Sequence, residues 1–141
     1  MRQVLPSLLG RGLKYPVELT SNGMAMVEGE SLVNQSISEI LLTAIGERPF
    51  EVKNGVPFGS RIPLYLFSSA EDVRDNVDFE VKRALSTWEP RIVVNHVTVT
   101  DIRPSGERDP RYVRVEVNFR YRLDNRPDNW TNDFSANTRV R

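Results

Sequence analysis

Residues 68–92 read SSAEDVRDNVDFEVKRALSTWEPRI, and this stretch decides the fold class. Ser68 and Glu71 have the spacing of a capping box, in which hydroxyl and carboxylate satisfy free N–H groups of a first helical turn. Val73, Val77, Val81, Ala84, Leu85 and Trp88 then recur at helical spacing and form one apolar stripe, with Arg74, Asp75, Asp78 and Lys82 away from it. Pro90 disfavours helical geometry at Glu89, so the spacing predicts a helix that ends there.

Strand material follows, from Ile92 to Ile102 and from Tyr112 to Leu123. The second run places Val113, Val115, Val117, Phe119 and Tyr121 on one face. Tyr112, Arg114, Glu116, Asn118, Arg120 and Arg122 take the other, the pattern of a half-buried antiparallel strand. The first run slips phase near Asn95-His96, which predicts a bulge. The loop between them, Arg103 to Arg111, is rich in turn formers and charge. The polar stretch from Asp124 to Arg141, anchored by Trp130, Phe134 and Val140, is expected either as an edge strand or as a tail that orders on assembly.

On the amino-terminal side, three prolines (Pro49, Pro57, Pro63) and three glycines (Gly46, Gly55, Gly59) break residues 46–67 into an irregular connector. Such length without regular structure is unusual unless the segment packs by its own side chains. Phe50, Phe58, Ile62, Leu64, Leu66 and Phe67 can do so, with a short helical turn near Leu64 to Phe67. Before the connector, Val33, Ile37, Ile40, Leu41 and Ala44 share a helical face, with Ser31 as the expected N-cap and Gly46 as the stop. Residues 13–28 read as a hairpin turning at Asn22-Gly23, the dipeptide suited to a type I′ turn. The expectation is one α+β domain: an N-terminal hairpin, two main helices and a C-terminal antiparallel sheet over 1–123, followed by a polar tail over 124–141.

Composition narrows the function. Lys plus Arg number 19 and Asp plus Glu 19, so no overall field draws the chain to nucleic acid or an acidic membrane. The arginines that gather after Arg103 are interleaved with Asp, Glu and Asn, as on a polar contact surface. No cysteine is present, which excludes disulfides and thiolate chemistry. The single histidine, His96, falls within strand material and reads as structural, so neither a zinc site nor a His-based triad is expected. No apolar run approaches the roughly 20 residues of a membrane span, and the start of the chain is too broken by Pro6 for a signal peptide. A soluble intracellular protein without cofactor is the expectation. Carboxylates such as Glu47 and Glu51 could be read as a hydrolase pair, and nothing separates them from solvated loop charges.

Four segments in order carry a resemblance: Gln35 to Arg48, Phe58-Gly59-Ser60-Arg61-Ile62, Ala84 to Ile92 with Glu89-Pro90-Arg91, and Val97-Thr98-Val99. Together, over about residues 30 to 122, the series resembles the family of the sheath-initiating baseplate wedge protein of contractile phages. The same family includes the corresponding subunits of type VI secretion and extracellular contractile injection systems. The resemblance implies a non-enzymatic structural subunit of a virion tail baseplate, assembled in a host cytoplasm, or a cytoplasmic part of a secretion system. A lysozyme-like cell-wall hydrolase is the alternative. Implied partners are baseplate wedge proteins, the tail sheath protein and the tail tube or hub, in several copies per particle, six being expected. No nucleic acid or membrane is among them. The wedge-facing residues it implies are Glu89, Pro90, Arg91, Gly46, Glu47 and Arg48.

The residues of the Glu89-Pro90-Arg91 corner leave two readings open: a rigid interface, or an internal salt bridge from Arg91 to Glu89 or Glu47. For the sheath the resemblance implies a sheet edge that receives a strand from the first ring. The candidate edge is the strand from Tyr112 through Arg114, Glu116, Asn118, Arg120 and Arg122, with the tail after it.

Overall fold

The computed structural model describes residues 6–65, 70–102 and 111–136. A turn of helix, α1 (Pro6–Leu9), leads into β1 (Arg11–Leu13), β2 (Leu19–Thr20), β3 (Gly23–Met24) and β4 (Met26–Glu28). These fold back as the expected hairpin, with β1 against β4 and β2 against β3. Its turn differs from expectation. The two-residue loop is Ser21-Asn22, because the Thr20 hydroxyl accepts from the Asn22 N–H at 3.3 Å and donates to the Gly23 carbonyl at 2.8 Å.

The chain enters α2 (Glu30–Leu42) at Gly29, with φ +67° and no side-chain cap. Ser31, expected as the cap, lies inside the first turn. The start is displaced because the Gly29 N–H is bound to the Gly10 carbonyl at 3.2 Å, which fixes where the hairpin hands over to the helix. The helix also stops before Gly46. Thr43 is extended (φ −85°, ψ +123°) because the chain here pairs with a later segment: Ser60 N–H donates to the Thr43 carbonyl at 2.9 Å, and Ile45 N–H to the Ser60 carbonyl at 3.1 Å.

The connector holds a second hairpin, β5 (Val52–Lys53) and β6 (Val56–Pro57). Asn54 and Gly55 both have positive φ, +51° and +77°, so the turn chemistry expected at Asn22-Gly23 is used here instead. The helical turn α3 spans Ile62–Tyr65, slightly earlier than read from the sequence. Helix α4 (Ala70–Trp88) ends as Pro90 dictates, with Glu89 N–H making its last bond to Leu85. Ser68, and with it the expected capping box, lies outside the described residues.

Strands β7 (Ile92–Ile102), β8 (Arg111–Tyr121) and β9 (Pro127–Ala136) form one antiparallel sheet in the order β7-β8-β9. The ladder shifts register between Val94 and His96, which is the expected bulge at Asn95. Of the two expectations for the polar C-terminal stretch, the edge strand is what forms. One expectation is overturned: β8 is the middle strand, hydrogen-bonded on both sides, and offers no free edge. Asn, Asp and Thr alternating with Trp130 hid a strand whose outer face is polar.

The core lies between one face of the sheet and the two long helices. Val33, Ile37, Ile40 and Leu41 of α2 and Val77, Val81, Ala84 and Leu85 of α4 are buried against Val115, Val117, Phe119, Tyr121 and Trp130. The apolar stripes read from the sequence meet here, except that Ala44 lies beyond the end of α2 and the Val73 side chain lies outside the described residues.

Candidate functional site

Three of the four motif segments converge on the C-terminal ends of the two helices, and the fourth, Val97-Thr98-Val99, lies within β7. Phe58-Gly59-Ser60 closes over the end of α2. The buried Ser60 hydroxyl donates to the Leu41 carbonyl at 2.7 Å, satisfying a helix-end acceptor, and accepts from the Ile62 N–H at 3.2 Å. Gly59 carries φ +108°, and a Cβ there would stand 2.5 Å from the Thr43 carbonyl oxygen. Phe58 packs edge-on against Trp88 at 5.0 Å, while the Arg48 guanidinium lies 4.4 Å above its ring. Trp88 in turn donates to the Pro57 carbonyl at 3.2 Å. The Gly46-Glu47-Arg48 turn is therefore one side of a stack that runs Arg48, Phe58, Trp88. Arg48 also pairs with Glu51 at 3.3 Å, and Glu47 is exposed.

The Glu89-Pro90-Arg91 corner starts at the foot of that stack. Glu89 is 1% exposed and holds Arg91 through two parallel bonds of 2.6 Å, the fork-to-fork geometry only arginine gives. A third Arg91 nitrogen donates to the Leu9 carbonyl at 2.7 Å, tying α1 to the corner. The internal salt bridge of the second reading is made, and its partner is Glu89, not Glu47. The carboxylate holds the Arg91 guanidinium above its usual pKa, outweighing the effect of burial.

The outer face of the sheet carries the other candidate residues. Arg114 grips Asp133 of β9 through two bonds of 2.8 and 3.1 Å. Each holds the other in its charged form, with Asp133 below and Arg114 above the ordinary value. Asn95, Asn118 and Asn129 form a carboxamide ladder across all three strands, with bonds of 3.1 and 2.7 Å. Arg120 donates to Asn125, and Glu116 also lies on this face. Arg122 falls past the end of β8, in the turn, where its N–H donates to the Arg91 carbonyl and it lies near Leu8 and Leu9. The Tyr112 side chain lies outside the described residues. His96 is exposed and faces Asn118 across the ladder.

Several structural contacts were not read from the sequence. Glu80, 2% exposed, binds Arg83 through both oxygens and accepts the Arg61 N–H at 3.1 Å, pinning the connector to α4. Burial alone would raise its pKa; the bonds from Arg83 and Arg61 override that and lower it. Its spacing of three from Arg83 was a weak signal. Trp130 donates to Ser38 of α2 at 2.8 Å, and Tyr121 to Asp128 at 2.6 Å. Burial first, then the bond to Asp128, pushes the Tyr121 phenol far above its usual pKa. Arg126 pairs with Glu30 and sits 5.4 Å over the Tyr121 ring, so β9 is clamped to α2 at both polar and apolar points.

Among the described residues no cluster of three His, Cys, Asp or Glu could hold a metal. None of their helices is long and apolar enough to cross a membrane. No curated protein matches the chain. Among solved structures, a crystal structure of a tail lysozyme candidate from Geobacter sulfurreducens is 30% identical, covers 80% of this chain and 96% of its own, and superposes with a TM-score of 0.61. A chain of the cryo-EM baseplate of the anti-feeding prophage, refined with 6-fold symmetry, shares the fold at a TM-score of 0.60. It is 15% identical over 96% of this chain and 92% of that one. The family model described as baseplate wedge protein gp25 matches residues 27–126, from β4 through all of β8. That span takes in the helix-end stack, the Glu89–Arg91 corner and both long helices, and the chain belongs to the baseplate wedge protein gp25 family, a structural component of the baseplates of contractile injection systems.

Proposed function

We propose that the protein is a non-enzymatic subunit that docks on wedge proteins and offers a sheet edge on which the first ring of tail sheath forms. The observation that carries this reading is the position of β9. It is an outer strand ten residues long, and its outer edge has no partner among the described residues. Helix α4 runs close beside β7, at the opposite side of the sheet. An incoming extended segment would gain main-chain hydrogen bonds along β9, while Arg114, Glu116, Asn118 and Arg120 present side chains beside it. Arg91 and the Gly46-Glu47-Arg48 turn face the wedge in this reading, and Glu89 serves to hold Arg91 in place.

The hydrolase reading has the name of one solved neighbour, a tail lysozyme candidate, behind it, and the carboxylates among the described residues speak for the non-enzymatic one. A general acid needs a carboxyl raised in pKa by an apolar site, and the buried Glu80 is shifted the other way. Glu47 and Glu51 are exposed, and Glu51 is paired with Arg48.

Successive residues of a strand aim their N–H groups at opposite edges, so Thr131→Pro and Asn132→Pro separate docking from folding. One of the two breaks the ladder to β8 and lowers the thermal midpoint. The other keeps the midpoint within a few degrees and abolishes sheath growth on assembled baseplates. Sheath growth that survives in the folded variant refutes the edge, and peptidoglycan clearing by the purified protein refutes the non-enzymatic reading.

A further inference from the structure

The N-terminal hairpin is apolar on its outside. Leu13, Tyr15, Val17, Leu19, Met24 and Met26 are between 42% and 81% exposed, all within one short hairpin. A contiguous group of this kind marks a contact surface. The hairpin is held at a fixed distance from α2 by Gln35, whose amide accepts from the Tyr15 N–H at 2.9 Å and donates to the Leu13 carbonyl at 2.8 Å. Between hairpin and helix lie two adjoining hollows of about 510 and 330 Å³, which share Tyr15, Gln35 and Glu39.

Charge then narrows the occupant. Every basic group at these hollows is already engaged: Lys14 with Glu18, Arg48 with Glu51, Arg91 with Glu89. The two remaining carboxylates, Glu39 and Glu47, have no cation among the described residues. Beside them stand Leu42 and Tyr15, 44% and 68% exposed. The larger hollow thus offers apolar walls and two uncompensated negative charges.

We propose that this cleft seats a segment of a neighbouring baseplate protein, an apolar side chain flanked within one helical turn by Lys or Arg. The inference rests on the baseplate reading above and adds the surface and the chemistry of the partner. Its anchor fills the space between Tyr15 and Leu42, and its cations meet Glu39 and Glu47, which also excludes acidic segments.

The test places photoreactive p-benzoylphenylalanine at position 15 of the full chain, assembled with the other baseplate proteins of its source, and sequences the crosslinked peptide. The expected product is a peptide of another baseplate protein carrying an apolar residue with Lys or Arg within four positions. Glu39→Lys and Glu47→Lys, both at the protein surface, are expected to cut the crosslink at least tenfold without moving the urea midpoint. A crosslink to a second copy, to the same chain, or to a segment lacking basic residues overturns the proposal, as does an undiminished yield in the charge-reversed variants. If the β9 proline variant blocks sheath growth while position 15 captures no baseplate peptide, the baseplate reading stands and this inference falls. If no baseplate protein binds the unaltered chain at all, both fall.

Discussion

A carboxylate as buried as that of Glu89 is costly unless a cation and hydrogen bonds surround it, and Arg91 supplies both. Removing the cation alone leaves that group unpaired, so Arg91→Ala is expected to lose about 3 kcal/mol of stability by urea denaturation. Replacing both residues by Met should recover most of the loss, since the pair's net contribution is small beside the cost of breaking it. A single variant within about 0.5 kcal/mol of the parent, the range of ordinary surface changes, would show that the corner exists for partners only. Glu80 gives a pH signature. Its folded pKa lies below the ordinary 4.5, so its contribution is fully present above that value and is lost as pH falls through the folded pKa. Glu80→Gln should therefore be less stable than the parent at pH 6, and the gap should narrow at pH 3. A gap that stays constant between those pH values would mean that the ion pair with Arg83 contributes nothing to folding.

The elements differ in how openly the sequence announces them. Helix α4 and strand β8 were legible because burial on one face imposes a period, 3.6 in one and 2 in the other, and Val77 to Leu85 and Val115 to Tyr121 keep it. Element ends were not, because tertiary partners set them. Thr43 leaves the helix to pair with Ser60, seventeen residues on, and the Thr20 hydroxyl shifts the first hairpin turn off Asn22-Gly23. Phe58-Gly59-Ser60 was legible as a motif but not as a clasp. Its glycine is the point to test. Gly59→Ala brings a methyl into the Thr43 carbonyl and forces a left-handed residue, so a loss of about 2–3 kcal/mol is expected from strain alone. Ser60→Ala should cost about 1–3 kcal/mol by leaving the Leu41 carbonyl unpaired. Near-neutral values for both in a urea titration would mean the clasp can open without disturbing α2.

At the scale of the whole molecule, the question is whether the domain ends at residue 123 or includes β9. The polar composition of residues 124–141 suggests a dispensable tail. The contacts argue otherwise: Trp130 is 5% exposed and bonded to Ser38, Asp128 takes the buried Tyr121 hydroxyl, and Arg126 pairs with Glu30. Cutting after Leu123 would remove all three and strip one edge of β8, exposing a face whose residues are otherwise buried. Domains of this size hold only about 5–15 kcal/mol in total, and loss of a buried Trp alone costs about 3–5 kcal/mol. The chain 1–123 is therefore expected to lose its near-ultraviolet circular dichroism and its cooperative urea transition, whereas 1–136 keeps both. A cooperative transition in 1–123 at the parent's midpoint would make β9 an accessory strand.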